Sequence, residues 1–104
     1  MAKFPFSDLN SFKDYVIYVQ TYLPERFPPR KAVGPEDQWT INLAFEGLRL
    51  GLSMAVREKG ERPEFAESRR LIEEAYHAYE SGDVRSGFMK LGRVEELLQK
   101  VPSQ

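Results

Sequence analysis

The sequence predicts an all-α fold, a small four-helix domain made of antiparallel helical hairpins. Two observations carry this prediction. Apolar side chains recur every three or four residues in four separate segments, which is the period of one helix face. Prolines, glycines and short capping residues stand between these segments, where helices begin and end. A bundle and a short helical-repeat-like stack both satisfy the pattern.

The composition limits both the fold and the chemistry. The chain has 104 residues, the length of one domain, which we expect to span residues 1–104. It contains no cysteine and a single histidine, which excludes disulfides, thiolate metal sites and any site that needs several imidazoles. The formal net charge of −1 provides no field that favours nucleic acid or an anionic membrane.

The sequence lacks the pattern of a signal peptide and of a membrane span. The longest apolar-rich stretch, residues 41–56, contains Glu46 and Arg49 and is too short to cross a bilayer. The first residues have neither the apolar run nor the small-residue cleavage site of a secretory signal. We therefore expect a cytoplasmic protein that does not bind membranes.

Helix 1 is predicted from about Asp8 to Leu23. Ser7 or Asp8 can cap it with a side-chain oxygen, and Pro24 stops it. One apolar stripe marks its buried face: Leu9, Phe12, Val16, Val19 and Leu23. The loop that follows, residues 24–35, holds four of the seven prolines, which makes it stiff and partly extended.

Helix 2 is predicted from about Pro35 to Lys59. Pro35 suits a first helical position, Glu36 and Asp37 suit the positive end of the helix dipole, and Gly60 is a stop signal. Apolar residues, Trp39 and Leu50 among them, cover much of its circumference. This distribution predicts that helix 2 is the central and most buried helix, with Gly47 and Gly51 packed closely against helix 1 or helix 4.

Helices 3 and 4 are predicted to form a tight hairpin. Helix 3 runs from Pro63 to about Ser81, and helix 4 runs from a cap at Asp83 to about Lys100, just before Pro102. The predicted core face of helix 4 consists of five apolar residues: Phe88, Leu91, Val94, Leu97 and Leu98.

This hairpin resembles a degenerate tetratricopeptide helix pair over residues 63–100. Seven residues carry the resemblance: Leu71, Ala75, Gly82, Val84, Gly87, Leu91 and Val94. Ala75 and Gly87 remove bulk where the two helices would cross. Val94 is larger than the small residue usual in that family, and the late proline is displaced to Pro102. The resemblance implies a scaffold that binds peptides or proteins.

His77 is the one candidate for acid–base or metal chemistry. Glu74 and His77 have the Glu-x-x-His spacing of carboxylate-bridged metal sites, but a second histidine is missing. Glu67, Arg70, Glu74 and His77 follow each other at helical spacing, which is typical of a solvated stripe of ion pairs. We therefore expect no metal and no cofactor.

The candidate partner-binding surface combines helix 1 with the proline-rich loop. Its tyrosines stand at i, i+3 and i+7, beside the buried stripe, and the loop adds cations and a phenylalanine. Tyrosine joins apolar area to a hydrogen-bonding tip and is frequent at binding hot spots. The predicted surface consists of Tyr15, Tyr18, Tyr22, Arg26, Phe27 and Arg30. A half-buried core position for the tyrosines is the alternative.

The predicted function is a non-enzymatic protein–protein interaction domain: a small regulator, adaptor, chaperone or toxin-neutralising partner. The sequence has no phosphate-binding glycine loop and no nucleophile motif, so we expect no enzyme. The expected partner is another protein or a second copy of this chain, with nucleic acid and membranes excluded. The alternative is a ligand-binding or catalytic protein with a pocket between helices 2 and 3 that involves Trp39 or His77.

Overall fold

The structure is a computed structural model that describes residues 4–24, 26–28, 34 and 38–102. These residues form four α-helices and no strand: α1 (Leu9–Tyr22), α2 (Ile41–Lys59), α3 (Pro63–Glu80) and α4 (Val84–Gln99). The prediction of a small all-α domain with four helices is therefore confirmed.

Helix α1 begins with a capping box. The Asp8 carboxylate accepts a hydrogen bond from the Ser11 backbone N–H at 2.9 Å, and the Ser11 hydroxyl lies 3.2 Å from the Asp8 N–H. Two first-turn donors are thereby satisfied. The N–H bond to the carboxylate lowers the pKa of Asp8. All five residues of the predicted stripe are buried, which confirms the inward face of this helix.

Helix α2 begins at Ile41, so its predicted start at Pro35 is wrong. Residues 38–40 are not helical, and the Thr40 side chain accepts the Leu43 N–H at 3.0 Å as the cap. Pro35, Glu36 and Asp37, which carried the predicted start, lie outside the described residues. Trp39 consequently lies in the segment before the helix. Gly60, with φ of 83°, ends α2 as predicted.

The glycines of α2 pack against α1, one of the two neighbours predicted for them. A Cβ on Gly47 would lie 2.7 Å from Cζ of Tyr15, and a Cβ on Gly51 would lie 2.9 Å from Cγ of Phe12. Ordinary carbon contacts are about 3.5–4.0 Å. Only glycine therefore lets these two aromatic rings lie directly on the α2 backbone.

Helices α3 and α4 form the predicted hairpin. Gly82 turns the chain with φ of 88°, and the Asp83 side chain caps α4 by accepting the Ser86 N–H at 3.2 Å. A Cβ on Gly87 would lie 2.5 Å from Cε2 of Tyr79, so the small residue permits the close crossing. A relation to tetratricopeptide proteins stays a prediction.

Each helix packs on its neighbours in the chain, and α1 also packs on α4, which closes the ring. Two hydrogen bonds show how α1 and α4 run relative to each other. Lys13 Nζ of α1 donates to the Val101 carbonyl at 2.8 Å, whereas Gln20 Nε2 reaches the Phe88 carbonyl at 3.0 Å. Helices α1 and α4 are therefore antiparallel, and the described helices run up-down-up-down as in a bundle.

Two predictions about buried faces are wrong. Helix α2 is not central, because each helix of the ring has two neighbours and one outer side. Leu50 lies on the outer side of α2 and is 50% exposed. Phe88, which we expected in the core, is 51% exposed beside α1, while the other four residues of its predicted face are buried.

Candidate functional site

Four aromatic side chains form a continuous cluster at the end of α1, which we call the aromatic cluster: Tyr18, Tyr22, Phe27 and Trp39. Tyr18 and Tyr22 lie one turn apart with ring centroids 4.9 Å from each other. Phe27 stacks on Trp39 at 5.3 Å, and Tyr18 lies 5.7 and 5.9 Å from these two rings. Each of the four residues is partly exposed.

Local chain geometry brings these rings together from three segments. The C-terminal half of α1 carries the two tyrosines, Pro24 follows the end of that helix, and Phe27 returns alongside Tyr22 at 6.1 Å between centroids. Trp39 lies in the non-helical segment that precedes α2. The sequence pointed to three of these side chains as partner-binding residues, and the structure places them side by side.

Tyr15 lies in the core and not on this surface. It is 2% exposed, and its hydroxyl donates to the Ala44 carbonyl at 2.9 Å. Phe4 and Phe6 pack against its ring at 6.1 and 5.0 Å between centroids. The expectation that Tyr15 contacts a partner is therefore not met in this conformation, because the chain itself covers the ring.

The structure describes one of the two arginines predicted for this surface. Arg26 is exposed beside the aromatic cluster, and its backbone N–H donates to the Tyr22 carbonyl at 2.8 Å. This bond ties the loop back to the last turn of α1. Arg30 lies outside the described residues.

A cavity of about 620 Å³ opens next to the aromatic cluster, a volume within the range of ligand pockets. It lies where α1 ends, α2 begins and α3 ends. Its described lining is half apolar and half polar: Pro24, Phe27, Trp39, Thr40, Ile41, Asn42, Tyr79 and Glu80.

Tyr79 is the most buried polar residue of this lining. Its residue is 4% exposed, and its hydroxyl has no hydrogen-bond partner among the described residues. Burial disfavours the phenolate and raises the pKa of Tyr79 to about 12. A buried hydroxyl without a partner costs about 1–3 kcal/mol.

Glu80 places a carboxylate on the same cavity. The Tyr76 hydroxyl donates to Glu80 Oε2 at 2.9 Å and also lies 2.6 Å from Asn42 Oδ1. The bond to Glu80 raises the pKa of Tyr76. No lysine or arginine among the described residues forms an ion pair with Glu80. Among the described residues, the negative charge of Glu80 at the edge of the cavity therefore has no ion-pair partner.

His77 does not belong to this cavity. It is exposed on α3 and packs edge-on against the Tyr76 ring at 5.7 Å between centroids. Its neighbour Glu74 forms ion pairs with Arg70 and with Lys90, the latter at 3.0 Å. These pairs lower the pKa of Glu74, with the bond from Lys90 as the larger cause. The Glu-x-x-His spacing thus lies in a stripe of surface ion pairs.

Sequence reasoning missed most of the cavity. Of its lining, only Phe27 and Trp39 were singled out, the first for the partner-binding surface and the second for the alternative pocket. Tyr79 and Glu80 carried no local signal, because the spacing of α3 assigns Tyr79 to the core and Glu80 to the solvent. Tyr79 and Glu80 line the cavity because the end of α3 lies next to the start of α2.

Comparisons with protein-family models, with curated proteins and with solved structures found no match. Within the described ranges, no helix has both the length and the hydropathy to cross a bilayer. The same ranges contain no group of three or more side chains that could hold a metal ion. The function is therefore inferred from this chain's own residues.

Proposed function

We propose that this chain is a non-enzymatic protein-interaction domain that binds its partner through the aromatic cluster and Arg26. The observation that supports this function is the cluster itself. Four large rings contact one another, yet each keeps part of its surface exposed. Aromatic residues and arginine are enriched at binding hot spots. The partner is another protein or a second copy of this chain.

The arrangement lowers the cost of binding. An aromatic side chain has only two rotatable bonds, and rings that already pack on each other lose little further freedom when a partner covers them. The tyrosine hydroxyls also offer hydrogen bonds at the edge of an apolar contact. Truncation of a central ring of this kind typically costs about 2 kcal/mol or more of binding free energy.

The test is a double substitution, Tyr18→Ala with Tyr22→Ala. The matched control is Leu50→Ala with Met89→Ala, which removes two side chains that are 50% and 63% exposed on other helices. Each protein is used to capture partners from a native extract, and the captured protein is then purified and titrated. We expect the tyrosine variant to bind about 30-fold more weakly or worse, and the control to bind normally.

Light scattering over a hundredfold concentration range identifies a second copy as the partner. A dimer that the tyrosine variant abolishes would assign the surface to self-association. Far-UV circular dichroism checks that both variants keep their helicity. Equal binding by the tyrosine variant and the wild type would refute the assignment of this surface.

A second candidate function is the binding of a small ligand in the cavity. It is favoured by the cavity of about 620 Å³, whose described lining combines apolar and polar side chains. Trp39 is the only tryptophan and lines the cavity, so its fluorescence reports on occupancy. A saturable response to a metabolite that persists in His77→Ala would support a site at Trp39 without His77.

A further inference from the structure

We propose that the cavity beside the aromatic cluster holds an arginine side chain of the partner protein. This inference rests on the proposed function, because the arginine would anchor the partner next to the aromatic cluster. Two features of the lining carry it: a pair of stacked rings, and a carboxylate that forms no ion pair with a lysine or arginine of the described residues.

The stacked rings provide an aromatic surface for a flat cation. Phe27 and Trp39 both line the cavity, with centroids 5.3 Å apart and ring planes within 27° of parallel. A guanidinium group is planar and weakly hydrated, and it stacks on aromatic faces while its charge is attracted to their π-electrons. Pro24 and Ile41 add apolar surface for the methylene stem, which arginine readily buries.

Glu80 provides the opposite charge. On α3, Glu67, Glu73 and Glu74 each pair with an arginine or a lysine. Glu80 differs from these three, since within the described residues its carboxylate accepts a hydrogen bond only from the neutral Tyr76 hydroxyl, at Oε2. Within the described part of the chain, its other carboxylate oxygen accepts no hydrogen bond. A guanidinium group can donate to this carboxylate while it stacks on the rings.

The test uses N-acetyl-arginine methylamide as the probe and Trp39 fluorescence as the readout on the full chain. The matched neutral probe is N-acetyl-citrulline methylamide, which has the same shape without the charge. Because the probe has few atoms, we expect a Kd of about 1 mM for the arginine compound. We expect the citrulline compound to bind about tenfold more weakly, since it loses the ion pair and the cation–π contact.

The variants test the residues. Glu80→Gln removes the charge and should weaken binding of the arginine probe about three- to fivefold. Glu64→Gln makes the same change at the opposite end of α3, about 24 Å away by helical rise, and should leave binding unchanged. Both positions are at the surface or partly so, so the fold is retained, as circular dichroism will verify.

Four results would overturn the inference. Equal binding of the citrulline probe would show that the positive charge of the probe does not contribute to binding. Undiminished binding by Glu80→Gln would show that the Glu80 carboxylate does not contribute to it. Binding of free arginine with a Kd below about 1 µM would assign the cavity to a small molecule and not to a partner side chain. If none of the probes binds while partner capture still depends on Tyr18 and Tyr22, the arginine anchor is wrong and the proposed function stands.

Discussion

Gly51→Ala tests the packing of α2 against α1 with the smallest possible change. The added Cβ would lie 2.9 Å from Cγ of Phe12 and closer still to Cδ1 and Cε1 of the same ring. Phe12 is fully buried, with ring centroids of Phe6 and Tyr15 at 5.4 and 6.3 Å. The ring therefore cannot withdraw without displacing two other rings or separating the helices.

Two opposing effects set the size of the loss. Overpacking in a dense core typically costs about 1–3 kcal/mol, while alanine is favoured over glycine in a helix interior by about 1 kcal/mol. The overlap here exceeds about 1 Å against ordinary contact distances and involves rigid rings, so we expect the overpacking cost to lie above this typical range. We expect a net loss of about 2 kcal/mol, which lowers the melting temperature by about 10 °C.

Gly92→Ala is the matched control on α4. Its Cβ would lie 3.0 Å from Gln20 Nε2, the end of a flexible side chain that can move aside. The helix preference then dominates, and we expect stabilisation of about 0.5 kcal/mol. Urea unfolding followed by far-UV circular dichroism at pH 7 measures both variants. A Gly51→Ala protein as stable as the wild type would refute this account of the interface.

Three further predictions use the same unfolding assay. Tyr79→Phe removes a buried hydroxyl without a described partner and should stabilise by about 1 kcal/mol at pH 7. Burial raises the pKa of Tyr79 from 10.0 to about 12, so the wild type should lose stability as the pH rises through this range, and the variant should lose less. Arg49 donates to Glu73 and lowers the pKa of that carboxyl from 4.5, so their ion pair stabilises above pH 4.5 and is lost at lower pH. Arg49→Gln should therefore cost less than about 1 kcal/mol at pH 7, because both side chains are nearly half exposed. The cost should fall once Glu73 is protonated, to the contribution of the Arg49 guanidinium over the Tyr76 ring, 5.0 Å from its centroid; a loss independent of pH would contradict this. Thr40→Ala removes the cap of α2 and should cost about 1 kcal/mol; an unchanged stability would mean that Thr40 does not define the start of the helix.

The sequence was sufficient for the helices whose ends carry unambiguous local signals. Asp8 caps α1, Pro63 begins α3 and Asp83 caps α4, each as predicted. The start of α2 was mispredicted because Pro35, Glu36 and Asp37 form a convincing start signal by themselves. The Thr40 hydroxyl at the Leu43 N–H marks the actual start, and threonine is common enough that its position alone decides nothing.

Helical periodicity also could not distinguish inner from outer apolar residues. It assigned Phe88 and Leu50 to buried faces, but a helix with two neighbours is not covered all round, and both side chains are about half exposed. Tyr15 shows the reverse error. It shares a stripe with Tyr18 and Tyr22, yet Phe4 and Phe6 cover it, and nothing in the spacing of α1 indicates where those residues pack.

The candidate site could be predicted only in part for a related reason. Tyr18, Tyr22 and Phe27 are close in the chain, so local reasoning grouped them correctly. The cavity joins the end of α1 to Trp39 and to Glu80, more than forty residues further on. Such a juxtaposition follows from the order in which the helices pack around the ring, which the sequence pattern left open between a bundle and a stack.

The ring of helices also implies an order of folding. The Tyr79–Gly87 contact joins residues eight positions apart, whereas the bond from Lys13 to the Val101 carbonyl joins residues 88 positions apart. Closing the longer loop costs about 2 kcal/mol more in chain entropy. The α3–α4 hairpin can thus form from local contacts alone, and α1 can complete the ring only after the chain between them has collapsed. Substitutions at the hairpin crossing should chiefly slow folding, and those on the α1 side should chiefly speed unfolding.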